Sequence, residues 1–551
     1  MEERIRNAVQ DALAALGGGD IPFAVEWPAD LTHGDFATNA ALAASKALGK
    51  PPREIADALV AHLKDALGES VTKVEAAGPG FVNITLAPQA VRSIIATAAI
   101  DPDWGKGSAH EGRSVMVEYS CPNPFKEMHI GHLMSTIIGE AVARIIENAG
   151  ARVLRDSYGG DVGPHVAKAL WALQKEGVTD VAHASEVDAA YAAGARAYEE
   201  SEDAKAAIDT LNQEIYREIY ATESSALKDL WLKCREVCLE AFRDIYQVLG
   251  TKFDYYFFES EVTPTGMRVV EDGLERGVFE KSDGAVIYPG ERKGLHTLVF
   301  ITSRGTPTYE AKDIGLAFHK EERAATDEVI IETGSEQIGH FNVFLAALGE
   351  IAPKLAAKTS HISHGLLTLT TGKMSSRLGN TITASGLLKG VIESAGERNE
   401  DSKVAADVAV AAVKYMVLRQ AAGGAVVFDP EKSLSLEGDS GPYLQYAYVR
   451  AKKLLTYASE SAGDGVPDAP YTVERLIIRY PEVAARAASE RAPHHIAQYL
   501  TKLASEWNSF YANEQVLGSS EETYKQNVAR AFANTMEHGL ALLAISVPER
   551  M

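Results

Sequence analysis

The residues best suited to chemistry fall in two short segments. The first is Pro124-Phe125-Lys126-Glu127-Met128-His129-Ile130-Gly131-His132. It sets two imidazoles three positions apart around a glycine, with a lysine just upstream. An apolar run at 115–119 precedes it, and Leu133, Ile137, Ala141 and Ile145 follow at four-residue spacing. The segment therefore falls where a buried strand hands over to a helix. Open α/β sheets bind ligands outside the carboxyl ends of their strands, and helix N-termini favour anions. Gly131 leaves room for a nucleotide beside the backbone, and His129 and His132 can donate hydrogen bonds to phosphate oxygens. With 15 His and 45 Gly in 551 residues, composition alone gives about 0.03 occurrences of H-x-G-H, although a short motif is weak by itself. The bland alternative is a helix cap with two surface histidines. The second segment is Gly372-Lys373-Met374-Ser375-Ser376-Arg377-Leu378-Gly379-Asn380. A lysine in a glycine- and serine-rich loop can neutralise a leaving pyrophosphate in the transition state. Its bland alternative is a solvated basic loop.

A scaffold must bring these segments together. Residues 113–160 read strand, helix, strand, with the helix ended by Gly150 and the next strand at 152–157; such a unit requires a parallel sheet and a right-handed crossover. A helical, acidic stretch spans about 165–250. The β pattern returns at 296–302, 328–332 and 361–369, so a helical insertion splits the parallel sheet. From about 403 onward the pattern is all helical, and Ile496, Leu500, Leu503, Trp507 and Phe510 form a core-facing stripe. A loop near 459–470 interrupts these helices. At the other end, Ile5, Val9, Ala12, Leu13 and Leu16 mark a helix stopped by three glycines, and runs at 73–76 and 81–86 flank Gly78-Pro79-Gly80 as two strands around a turn. Residues 101–112 look like a linker. The fold class is α/β with a small N-terminal α/β unit and an all-α C-terminal bundle.

Hydrophobic residues make up 46% and charged residues 24%, an ordinary globular balance, and the net charge is −22. That acidity argues mildly against nucleic acid, so any RNA must meet a locally basic surface. Three cysteines, Cys121, Cys234 and Cys238, are too few for a disulfide framework and fit a reducing compartment. Cys234 and Cys238, four apart in a helical stretch, read as packed thiols, since four-ligand zinc spacing is absent. No apolar run is long enough for a membrane span, and the early acids of MEERIRNAVQ argue against a secretory signal. A cytoplasmic protein is expected.

The two segments resemble the ATP-binding signatures of the class I aminoacyl-tRNA synthetases, H-I-G-H and K-M-S-S-R. Further segments are similar to the arginine branch of that family over nearly the whole chain: Glu118-Tyr119-Ser120-Cys121-Pro122-Asn123, Gly78-Pro79-Gly80-Phe81-Val82-Asn83, the run from Leu436 to Ala447 containing Gly441-Pro442-Tyr443-Leu444-Gln445-Tyr446, and the terminal Val547-Pro548-Glu549-Arg550-Met551. The resemblance implies a tRNA-binding unit over 1–100, a Rossmann-like catalytic domain over 112–395 and an anticodon-binding bundle over 400–551. It implies ATP-dependent activation of L-arginine and transfer to tRNA(Arg), with Mg²⁺ accompanying ATP and the chain acting as a monomer. His129, Gly131, His132, Lys373, Met374, Ser375 and Ser376 would hold ATP, with Lys126 as a further phosphate-binding cation. Asn123, His132, Glu259, Tyr309, Asp313 and Gln337 would hold arginine. Phe81, Tyr443, Gln445, Tyr446 and Arg450 would meet tRNA. A guanidinium is a planar fork of donors, and selective binding asks for carboxylates such as Glu259 and Asp313. Polar readout of that kind discriminates roughly 10⁴-fold without editing, in keeping with the lack of an insertion large enough for an editing domain.

The resemblance frays in places. The family's D-W-G-x-Q stands here as Asp161-Val162-Gly163-Pro164-His165, and Cys121 replaces a small residue. The last helix, 528–543, lacks the family's Arg-Leu pair. The insertion at 165–250 carries no chemistry that the sequence assigns. The alternative function is a non-catalytic tRNA-binding or amino-acid-sensing paralogue, which would be expected to lose His129, His132 or Lys373.

Overall fold

The computed structural model describes residues 1–28, 30–370, 383–421, 423–457 and 463–551. The chain opens with helix α1 (Glu2–Ala15), strands β1 (Val25–Glu26) and β2 (Phe36–Thr38), helices α2 (Ala40–Leu48) and α3 (Pro52–Leu67), strands β3 (Val71–Ala77) and β4 (Phe81–Leu86), and helix α4 (Pro88–Ile100). The strands form an antiparallel sheet in the order β1-β2-β4-β3. Both α3 and α4 begin on proline, whose fixed φ and missing N–H suit a first helical turn. Ile55, Leu59, Leu63 and Leu67 form the buried stripe of α3.

The central layer is a five-stranded parallel sheet in the order β12-β11-β5-β6-β7. Its strands are β5 (Ser114–Glu118), β6 (Arg152–Gly159), β7 (Tyr255–Phe258), β11 (Glu328–Gly334) and β12 (Thr359–His364). Val115, Met116 and Val117 are all fully buried, as expected of a central strand covered on both faces. Helix α5 (Ile130–Asn148) returns the chain from β5 to β6. It packs so closely that a Cβ on Gly139 would lie 2.2 Å from Tyr119. The chain steps from β5 to β6 and β7 on one side and later to β11 and β12 on the other. The order therefore reverses beside β5, which is where such sheets bind ligands.

Helices α6 (Pro164–Lys175), α7 (Ala184–Glu200), α8 (Glu202–Tyr220) and α9 (Ala226–Leu249) separate β6 from β7. Helix α10 (Glu259–Glu275) follows β7, and α11 (Tyr309–Arg323) and α12 (Ile338–Ile351) flank β11. The run at 296–302 does not join the parallel sheet: β10 (Leu298–Ile301) pairs antiparallel with β9 (Ala285–Tyr288), which pairs with β8 (Glu280–Ser282). A tight hairpin at Asp283 and Gly284, with φ of 48° and 81°, joins β8 to β9, and the turn Gly290–Lys293, ended by Gly294 at φ 71°, brings the chain back antiparallel as β10. The run at 361–369 is two strands, because Gly365 packs against Gly424, with a Cβ there 2.3 Å from the Gly424 carbonyl oxygen. Beyond it β13 (Leu367–Leu369) pairs in parallel with β14 (Val426–Phe428), so the C-terminal part is not purely helical.

The C-terminal helices include Ala384–Gly396, Ser402–Leu418, Gly441–Leu455, Tyr480–Glu490, His494–Asn513 and Glu522–Leu542. The stripe from Ile496 to Phe510 is buried, and Trp507 stacks on Phe532 with ring centroids 4.4 Å apart. The N-terminal unit docks on this bundle: Asn534 Nδ2 donates to the Ala98 and Ala99 carbonyls, and Trp104 Nε1 donates to Thr535 Oγ1 at 3.1 Å. Among the described residues no helix is long and apolar enough to cross a membrane.

Candidate active site

His129 is the N-cap of α5, with extended backbone, and its Nδ1 accepts from the backbone N–H groups of Gly131 (3.0 Å) and His132 (3.4 Å). The His129 N–H in turn donates to His132 Nδ1 at 3.4 Å, and the two rings stack with centroids 3.7 Å apart. An imidazole whose Nδ1 accepts carries its proton on Nε2, so each ring keeps an Nε2–H donor. Burial, with His129 and Lys126 alongside, drives His132 down to about 3, and burial and Lys126 also lower His129. Both rings are therefore neutral donors at a helix N-terminus that favours anions. The histidines thus cap the helix, and the Nε2–H of each ring is left as a donor. Lys126 lies with its ammonium 5.2 Å from the centre of the Tyr191 ring.

The loop between β5 and α5 is strained. Ser120, Cys121 and Phe125, none of them glycine, have φ of 71°, 47° and 71°, a backbone region usually left to Gly and Asn. Such outliers cluster at functional sites. Cys121 accepts from the Tyr158 N–H at 3.4 Å; burial, with Glu118 beside it, pushes its thiol well above the ordinary range, so it is not a thiolate nucleophile. Cys234 and Cys238 are buried along α9, and burial raises both to about 12.

The lysine of the second segment, with Met374, Ser375 and Ser376, lies outside the described residues. The chain that follows them is tied to the first segment. Thr383 bridges His129, the Ala384 N–H donates to the Met128 carbonyl at 2.8 Å, and Ser385 Oγ donates to Glu127 at 2.7 Å.

Beside these histidines, β6, β7, α10 and α11 converge on an acidic pocket. Glu259, the first residue of α10, is buried and receives Lys312 Nζ at 2.5 Å. Burial pushes its carboxyl up to about 7 while Lys312 pulls the other way. Burial also works against the Lys312 ammonium, but Glu259 and Tyr216 outweigh it and hold it above its ordinary value. Asp313 accepts from His340 Nε2 at 2.6 Å, and His340 Nδ1 lies 3.4 Å from Glu310. Those two bonds outweigh burial and raise His340 to about 10, so it is an imidazolium. Tyr309 begins α11 and is largely exposed one turn from Asp313. Asn123 Oδ1 accepts from the Gly160 N–H at 2.9 Å, and a Cβ on Gly160 would lie 3.1 Å from Glu259 Oε1. Gln337 is exposed in the turn between β11 and α12.

The departures at 161–165 have physical roles. Asp161 is fully buried and accepts from the Ser260 N–H, from Ser260 Oγ and from Arg235 at 2.9 Å, while Trp231 Nε1 donates to its carbonyl. Val162 is buried, and His165 Nε2 bonds the Gly160 carbonyl at 2.8 Å. The helical insertion is thus the back wall of the acidic pocket. Tyr216 and Tyr220 come from α8, Arg235 from α9, and Tyr220 donates to the Ser260 carbonyl. Sequence reasoning missed Tyr158, Tyr216, Arg235, Lys312 and His340, because their partners lie on other elements and no spacing rule marks them.

Among the residues expected to meet tRNA, Phe81 is 39% exposed at the start of β4. Arg450 lies 4.2 Å over the Tyr511 ring and 5.5 Å over Tyr446, and Asn508 donates to Tyr443 at 3.0 Å. These form a partly exposed patch of aromatics and one cation, suited to unpaired bases. Gln445 departs from its expected place. It is fully buried, with its amide spent on the Ser546 carbonyl at 2.8 Å, so it braces the bundle and does not reach the surface.

A split parallel sheet, a histidine-capped helix at its switch point and an acidic pocket behind a helical insertion define a class I aminoacyl-tRNA synthetase catalytic fold. The comparisons agree along the whole chain. Residues 96–429 match the model for class I tRNA synthetases (R), catalytic domain, residues 3–86 the arginyl tRNA synthetase N-terminal domain and residues 444–551 the DALR anticodon binding domain. An arginine-tRNA ligase of Flavobacterium psychrophilum is 30% identical over 528 residues, 88% of each chain. One of Lactobacillus delbrueckii subsp. bulgaricus is 30% identical over 570 residues, covering all of both. The solved Thermus thermophilus arginyl-tRNA synthetase superposes over the whole of both chains with a TM-score of 0.85 at 25% identity. The chain belongs to the arginyl-tRNA synthetases, the class I ligases that join arginine to its tRNA using ATP. The non-catalytic alternative is set aside, since the catalytic domain is present.

Proposed function

We propose that this chain's residues divide that reaction as follows. The arginine carboxylate, already ionised at neutral pH, attacks the α-phosphorus of ATP, and pyrophosphate leaves. No general base is required, so catalysis is positioning and charge stabilisation. His129 and His132 donate from Nε2 to phosphate oxygens, Gly131 admits the nucleotide, and Lys126 and Lys373 take the β- and γ-phosphates beside Met374, Ser375 and Ser376. Asn123, His132 and Gln337 orient the amino acid, Tyr309 flanks its side chain, and Glu259 and Asp313 bind the guanidinium. The 2′-hydroxyl of the terminal adenosine of tRNA(Arg) then attacks the adenylate carbonyl, releasing AMP. Mg²⁺ enters with the ATP phosphates. The described residues offer no group of three or more His, Cys, Asp or Glu able to hold a metal alone, and no step is assigned to it.

The observation that carries this reading is the acidic pocket itself: Glu259 and Asp313 act on a common neighbour, Tyr309, beside a histidine-capped helix. In the same reading residues 1–100 and 400–551 bind tRNA around the catalytic domain of 112–395, through Phe81, Tyr443, Tyr446 and Arg450. The protein acts as a cytoplasmic monomer. Arginine-dependent ATP–pyrophosphate exchange, with and without tRNA(Arg) and with lysine as control, tests the core of it. Exchange with arginine plus tRNA and none with lysine is expected. Exchange with arginine alone would keep the catalytic assignment and show that activation does not wait for tRNA, and none at all from folded protein that binds tRNA would overturn the catalytic assignment.

A further inference from the structure

Tyr158 stands near the carboxyl end of β6, opposite Phe257 of β7, and its ring packs against Phe257, Val262 and Leu316. Its hydroxyl is shielded from solvent and has no hydrogen-bond partner. Burying a hydroxyl without a partner works against folding, so an orphan of this kind asks for an explanation. The charges acting on it most strongly are Glu259 and Asp313, then Glu118 and Asp161; with burial they hold the phenol protonated. The groups around it are already paired in the free protein: Glu259 with Lys312, Asp313 with His340, Asp161 with Arg235 and Ser260, Asn123 with the Gly160 N–H. The phenol oxygen therefore lies near these carboxylates and is unused in the free protein. An anionic partner is disfavoured there by four carboxylates. A guanidinium supplies five N–H donors and no acceptor.

We propose that Tyr158 is a specificity-determining residue for arginine, its hydroxyl oxygen accepting one guanidinium N–H while Glu259 and Asp313 take others. This rests on the reading that those two carboxylates bind the arginine side chain. The planar fork of arginine can bond two carboxylates and a phenol at once, whereas the compact ammonium of lysine is a point donor. A site with such a group left unpaired rejects the wrong substrate more strongly than an apolar pocket would.

Tyr158→Phe removes one oxygen and keeps the ring. The arginine KM should rise about tenfold or more. The kcat at saturating arginine and the KM for ATP should stay within about threefold. The thermal midpoint of the free protein should hold or rise, since an orphaned polar atom has gone. Asp313→Asn is measured in parallel. If it raises the arginine KM and Tyr158→Phe does not, this inference falls while the pocket stands; if neither moves it, the pocket reading falls as well. A Tyr158→Phe protein that melts lower with an unaltered arginine KM would place the hydroxyl in the service of the fold, through an ordered water, and overturn the proposal.

Discussion

At the scale of single residues, the pocket is pre-paired. Lys312 is spent on Glu259, and the single imidazolium of His340 is shared by Glu310 and Asp313. A cationic side chain would meet the carboxylate that His340 leaves in excess. The resemblance could name Glu259 and Asp313, because the family's motifs fall on them. It could not name His340, which reaches Asp313 from another helix. His340 bonds only one oxygen of Asp313 and so fixes the carboxylate while leaving the other oxygen for a ligand. His340→Gln keeps a donor but loses the charge; the arginine KM should rise roughly 3–30-fold, as expected for a lost charge-assisted bond, with kcat little changed. Stability should respond to pH as well. The folded value of about 10 lies above the ordinary 6.5, so the native state holds this proton more tightly than the unfolded chain. That contribution is fully present below pH 6.5 and is lost as pH rises toward 10. Denaturant titrations at pH 6.5 and 9.5 should show wild type losing more stability than His340→Gln. Equal losses would remove the imidazolium.

At the scale of elements, the strand-helix-strand unit around His129 was legible because apolar runs and helical spacing are local signals. So were the helix stripe ending at Phe510 and the turn between β3 and β4. The assignment of residues 296–302 to the parallel sheet failed because a short apolar run does not reveal its pairing direction. The signal lay upstream, in the two turns, Asp283-Gly284 and the one ended by Gly294, that fold β8, β9 and β10 back on one another. Also hidden from the sequence was the contact between α10 and α11, the two helices that begin on Glu259 and Tyr309. They meet at glycines: a Cβ on Gly315 would lie 2.2 Å from the Val262 carbonyl oxygen, and one on Gly266 2.0 Å from that of Ala311. Gly→Ala inside a helix ordinarily stabilises by about 0.5–1 kcal/mol. Here the sign should reverse, because the added methyl forces the helices apart, with overpacking costing about 1–3 kcal/mol. Gly315→Ala should melt at a lower temperature and raise the arginine KM, as the carboxylates of α10 and α11 separate. A variant that melts higher would show that the helix pair yields without strain.

At the scale of the whole molecule, the catalytic layer and the C-terminal bundle meet at a buried lysine that no motif announces. Lys414 is 2% exposed on the helix Ser402–Leu418, and its Nζ donates to the Leu249 carbonyl at 2.7 Å and to the Ala544 carbonyl. It thereby ties the end of α9 to the C-terminal tail. Burial, with Arg144 nearby, lowers it to about 7, against a weaker pull from Glu140. A neutral amine still has two N–H groups for the two carbonyls, so the bonds survive deprotonation. Because the unfolded lysine titrates near 10.5, the unfolded chain binds more protons than the native one between pH 7 and 10.5, and stability must rise with pH across that window from this group. Below pH 7 the penalty for the buried charge is complete. Lys414→Met removes the titration and leaves two carbonyls unpaired, at about 1–3 kcal/mol each. The variant should therefore be less stable at pH 9, and the difference should shrink as pH falls to 7, where wild type bears its own buried charge. A gap of constant size across that range would mean that the lysine stays protonated at the junction, and that its two carbonyl bonds, with Glu140, outweigh its burial.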